Sequence, residues 1–157
     1  MSKLVHKTIL AIFVMCMLLV HICLAATDDA AFKGQRDAVL KYIGAGKTTE
    51  AQAALDKLVA EFGSHRLLPK SLYCIAKRYG GLGKYSEAKE IYRKILQQYP
   101  NSEYVQGANL GIGTANIMSL IESGKTGQAQ AAITGLVAEF GDDMDLAAVL
   151  ENIANSY

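Results

Sequence analysis

Between Ser86 and Tyr99 the apolar residues Ala88, Ile91, Tyr92, Ile95 and Leu96 fall at helical spacing, which makes one face of that segment apolar. Upstream lies a second helical pattern, Leu72, Ile75, Ala76 and Tyr79, cut off by Gly80, Gly81 and Gly83. The unit therefore reads as helix, glycine turn, helix, with glycine where the chain leaves the first helix through a left-handed conformation. From residue 26 onward no stretch alternates apolar and polar residues long enough to suggest a sheet, and the sequence holds 2 prolines. The pattern predicts an all-α protein. Its helices fall near Ala31 to Ile43, Thr48 to Phe62, Leu68 to Tyr79, Ser86 to Tyr99, Ser102 to Glu122, Thr126 to Phe140 and Asp143 to Asn155.

The pattern is also periodic. GKTTEAQAALDKLVAEFG, from Gly46 to Gly63, returns 78 residues later as GKTGQAQAAITGLVAEFG, from Gly124 to Gly141, with 13 of 18 places identical. A third copy, GKYSEAKEIYRKILQQYP, runs from Gly83 to Pro100, so the units lie at offsets of 37 and 41 residues. Periods of this size point to stacked helical units, which present a long surface to partners. In the tail, VLENIANSY (Val149 to Tyr157) repeats Leu150, Ile153, Ala154 and Tyr157 at the spacing of SLYCIAKRY (Ser71 to Tyr79). A fourth unit starts there, either as a cap on the stack or as a fragment of a longer chain.

Counted as a unit of about 34 residues, Pro69 to Ser102 resembles the tetratricopeptide repeat. Its Leu72, Ile75, Ala76 and Tyr79, then Gly83 and Tyr85, then Ala88, Tyr92, Ile95 and Pro100 carry the likeness. The first unit keeps Tyr42, Gly46, Ala51, Leu55 and Leu58 but has Gln35 and Val39 where the family has a large apolar and a small residue. The third places Gly113, Asn116, Ile117 and Leu120 on its first helix, and Gly107, Gly111 and Gly113 lower helix propensity there. Close helix approach, or a local kink, is the expected compensation. The resemblance implies a right-handed α-solenoid of about three helix-turn-helix units plus a C-terminal helix, with units at about 32–65, 69–102 and 110–143 and a partial unit at 147–157 of a 26–157 domain. Small Ala76 and Ala88 then stand where the paired helices come closest. It also implies a concave groove for an extended peptide or a partner's helix, lined by Lys33, Arg36, Lys70, Tyr73, Lys77, Thr114 and Met118. Leu40 and Lys77 stand where members that clamp a terminal carboxylate have asparagines.

The chain opens with Lys3, His6 and Lys7, an apolar run from Thr8 to Leu24, and the small residues Ala25 and Ala26. This is the layout of an export signal over residues 1–25, cleaved after Ala25; an uncleaved membrane anchor through residues 8–26 is the alternative, its length being close to the ~20 residues of a span. Ile22 and His21 before Cys23 do not suit a lipid anchor. Cys16 and Cys23 lie in the leader, which leaves Cys74, expected to be packed on its helix, and no internal disulfide. Charge divides the chain: Lys33 to Lys94 holds 13 basic and 6 acidic residues, whereas from Ile95 onward Lys125 faces 7 acidic ones. That division suits an acidic partner at the first half, or head-to-tail contact between copies.

Candidate chemistry is sparse. Gly-Lys-Thr at Gly46 and Gly124 resembles the end of a phosphate loop, but Lys41 and Ser119 hold the places of its first glycine, and both follow helices. His65 is the only histidine beyond the leader and is expected in a solvated loop, so no histidine-based metal cluster or assisted nucleophile is available. Asp142, Asp143 and Asp145 read as a helix cap and dipole match before a cation site. Glu61 and Glu139 occupy matching places of matching helices, which argues for a shared structural role.

The expectation is a non-catalytic protein-protein interaction module of a bacterial cell envelope, without cofactor or nucleic acid. It is exported, and is periplasmic, membrane-anchored or secreted. YPNSEYVQGA, from Tyr99 to Ala108, is similar to repeat junctions of envelope proteins. The alternatives are the repeat portion of a larger envelope enzyme or secretion component, and a self-assembling structural protein.

Overall fold

The structure is a computed structural model and describes residue 15 and residues 28–156. Among the described residues there are seven helices and no strand. Helix α1 covers residues 28–44, and α2 to α7 cover Thr48–Phe62, Leu68–Gly80, Tyr85–Gln98, Val105–Glu122, Thr126–Phe140 and Leu146–Ala154. Apart from Met15, the signal or anchor segment at residues 1–25, its cysteines, the tether through residues 8–26 and the terminal Tyr157 lie outside the described residues. No helix among the described residues is long and apolar enough to cross a membrane.

Each hairpin turns on one glycine. Gly46, Gly83 and Gly124 have φ of 70°, 71° and 68°, a region that costs any residue with a Cβ. The backbone closes identically three times: Lys47, Lys84 and Lys125 donate their N–H to the carbonyls of Tyr42, Tyr79 and Leu120 at 3.0, 3.0 and 2.9 Å. The glycine one place earlier donates to the carbonyl three residues back in all three turns. Together these bonds satisfy carbonyls that the end of the first helix would otherwise leave open. Five residues past each glycine stands an alanine, Ala51, Ala88 or Ala129, with 0% exposure. A small residue there lets the second helix lie close against the first, as expected for Ala88.

Successive helices pack side by side, α3 on α4, α4 on α5 and α5 on α6, while α5 also touches α3 and α7. One buried cluster runs from Phe32 through Leu55, Leu72, Ile75 and Ile95 to Ala108. A second gathers Leu110, Ile117, Leu136, Phe140, Leu146 and Ile153. Polar ties repeat along the stack at almost the period of the sequence. Asp29 reaches His65, the Tyr99 hydroxyl donates to the Gly63 carbonyl at 2.9 Å, and the Gln106 amide donates to Asp143 at 2.8 Å.

Two expectations are corrected. His65 sits in the loop between α2 and α3, yet its side chain is 5% exposed. Its ring stacks on Phe32 at 4.0 Å between centroids, in a slot that α1 supplies. The Leu67 N–H donates to Nδ1, so Nε2 carries the ring proton and donates to the Asp29 carboxylate at 2.9 Å. Cys74, expected to be packed, is exposed, because Leu72, Ile75 and Ala76 already form the inward face of α3.

The predicted bounds of α2 and α6 coincide with the observed ones, whereas α5 and α7 each begin three residues later than expected. Local turns explain the delay. The Ser102 hydroxyl accepts from the Tyr104 N–H at 3.3 Å, and the Asp143 carboxylate accepts from the Asp145 N–H at 2.8 Å. Each side chain caps a turn that precedes the helix. Asp143 thus closes a turn ahead of α7 and does not cap the helix, whose N-cap residue is Asp145 and which has no side-chain cap hydrogen bond.

Hydrogen bonds from His65, and then from Arg66, hold the Asp29 carboxyl below its ordinary value of 3.8. A depressed carboxyl contributes stability that is complete above the unfolded value and disappears as pH falls through the folded one. The Tm difference between the chain and an Asp29→Asn variant is therefore expected to be full at neutral pH and to close below about pH 4. Thermal melts at stepped pH check this, and a gap that does not change with pH contradicts it.

Candidate functional site

The first helices of successive units, α3, α5 and α7, border a hollow of about 280 Å³ whose base reaches the first turns of α4. Its lining brings together Tyr73 and Lys77 from α3 with Thr114 and Met118 from α5, four of the residues expected in a groove. Lys33, Arg36 and Lys70 do not line it. Lys33 and Lys70 are exposed on α1 and on the first turn of α3, and the Arg36 guanidinium pairs with Asp37 at 2.7 Å.

Sequence reasoning missed the other walls. Tyr85 and Tyr92 enter from α4, Leu110 and Ala115 from α5, and Asp145, Val149 and Asn152 from α7. The spacing of Asp145, Val149 and Asn152 places them on one side of α7, a signal that the sequence carried. The other signal was the pair Gly107 and Gly111, one helical turn apart. A Cβ on Gly107 would stand 2.9 Å from the Tyr73 ring, and one on Gly111 would clash with the Tyr92 ring. A Cβ on Gly113 would collide with Leu136 of α6. Helix α5 is continuous through all three glycines, so of the two compensations expected for them the close approach is the one observed.

These contacts fix the aromatic wall. Tyr73 lies 5.8 Å from Tyr92 and 5.5 Å from Tyr104 between ring centroids, in tilted arrangements that aromatic pairs favour. Burial raises the pKa of Tyr92, helped by Tyr73 and Cys74. Burial also raises that of Tyr73, followed by the negative charge of Asp145. Burial and then Glu122 do the same for Tyr85. All three phenols stay neutral at physiological pH and offer the hollow apolar ring faces with hydroxyl groups.

Two formal charges line the hollow, Lys77 on α3 and Asp145 at the N-cap of α7. The Lys77 ammonium lies 5.7 Å from the Tyr73 ring centroid, and neither charge takes part in an ion pair among the described residues. Thr114 turns its hydroxyl back to the Leu110 carbonyl at 2.8 Å. Among the described residues no three His, Cys, Asp or Glu side chains gather where a metal ion would fit. What the arrangement can do is hold an elongated ligand by ring faces, aliphatic surface and two separated charges.

Residues 71–102 match the sequence model of the tetratricopeptide repeat, a stretch that covers α3 from Ser71, all of α4 and part of the junction to α5. That repeat serves in general as a protein-protein interaction scaffold, and the matched segment supplies Tyr73, Lys77, Tyr85 and Tyr92 to the hollow. A comparison with curated proteins finds no match to the chain.

The glycine contacts predict opposite outcomes for two alanine substitutions. Gly111→Ala drives a methyl group into the Tyr92 ring and is expected to destabilise the chain by about 1–3 kcal/mol. Gly135→Ala, in α6 with nothing within 4 Å of its Cβ, is expected to stabilise it by about 0.5–1 kcal/mol. Urea denaturation of the two variants checks both signs.

Proposed function

We propose that the chain is a non-catalytic binding module that holds a peptide or helix of a protein partner in the groove across α3, α5 and α7. The observation that carries this reading is the hollow itself, where Lys77 and three tyrosines face solvent-accessible space with no partner for the ammonium among the described residues. Lys33 and Lys70 add positive charge on α1 and at the start of α3, outside the hollow, which favours a partner with an acidic stretch beside the segment that the hollow holds. The layout of residues 1–25 supports export to a bacterial cell envelope, where the domain works free in the periplasm or tethered by its leader.

Reversing charge at Arg36, Lys70 and Lys77 together is expected to lower the affinity for a capped peptide of alternating Glu and Ser by about tenfold or more. The far-UV circular dichroism of the triple variant should match that of the parent. Unaltered capture of the peptide contradicts the groove assignment.

A further inference from the structure

The two charges of the hollow have opposite sign and stand on different walls. Lys77 belongs to α3 and Asp145 to the N-terminal edge of α7, with α5 between them in contact with both helices. Between the charges the lining is apolar or uncharged, through Tyr73, Leu110, Gly111 and Val149. Resting on the groove reading above, we infer that the occupant is an extended peptide segment bearing one acidic and one basic side chain on either side of an apolar residue. The acidic residue meets Lys77, the basic one meets Asp145, and the apolar side chain enters the tyrosine-lined space.

Charge complementarity selects this occupant over a uniformly acidic one. An acidic side chain at the α7 end would face Asp145 and, behind it, Asp143, which Gln106 and the Asp145 N–H already engage. A basic residue there meets a carboxylate that makes no ion pair among the described residues. Length sets the spacing of the charges. Neighbouring helices lie about 8–10 Å apart, so two such steps bound the distance between the walls, and side chains reaching inward shorten it. At about 3.3 Å per residue, about three to five extended residues bridge the two charges.

The test uses the full chain and three capped, fluorescent nonapeptides of Gly and Ser with Leu at the centre. They carry Glu and Lys, two Glu, or two Lys, the charged pair four positions apart. Fluorescence anisotropy in low salt is expected to rank the Glu/Lys peptide first by about three- to tenfold. Lys77→Glu should move the Lys/Lys peptide to first place, and Asp145→Lys the Glu/Glu peptide. Equal affinities, a ranking that neither variant changes, or no saturable binding overturns the inference. Thr114→Arg, which fills the middle of the groove, separates this failure from that of the groove itself. If it removes binding while the ranking is flat, the groove stands and the bipolar ligand falls; if binding survives it, both fall.

Discussion

The left-handed glycine that ends the first helix of each hairpin is the constraint on which the remainder of this structure rests. It lets the chain reverse direction within three or four residues, and its three copies share φ within a few degrees. A residue with a Cβ is disfavoured there, so the sequence keeps glycine followed by lysine at all three. With the turn fixed, the next helix returns along the first, and the alanine five places on sets how closely the two lie. Burial of Leu55, Ile75, Ile95 and Leu136 depends on that distance.

Between units the contacts are of another kind. Side-chain ties run from one hairpin to the next, and their partners differ each time: a histidine and a carboxylate, a tyrosine hydroxyl and a backbone carbonyl, an amide and a carboxylate. Two of the ties share a position, from α1 to the loop after α2 and from α5 to the loop after α6, while the third joins the ends of α2 and α4. Stability in such a stack is approximately a sum of the hairpins and the interfaces between neighbours. Each tie therefore acts on one junction, and the hollow depends on the junctions of α5 with α3, α4 and α7.

The fold was legible because a repeated pattern states its own boundaries. Thr48–Phe62 and Thr126–Phe140 were read to the residue, each opening directly after Gly-Lys and closing before a glycine. Ser102 and Asp143 were read as helix starts because a capping side chain looks the same in sequence whether it begins a helix or a preceding turn. His65 was misplaced for a physical reason: the slot that buries it is made by Phe32 and Asp29, on a helix more than 30 residues earlier. The hollow was legible in part. Tyr73, Lys77, Thr114 and Met118 follow from which side of a first helix faces the hollow, whereas Tyr92 and Asp145 enter it only through the way α4 and α7 lean on α5.

The tyrosine wall has an optical consequence. The chain has 8 tyrosines and 0 tryptophans, and three of those tyrosines line the hollow. Ultraviolet emission excited in this protein thus originates from phenol rings, a large share of them at the surface a ligand would cover, without an indole to collect their energy. Occupancy of the proposed groove would therefore be read from the protein's own emission.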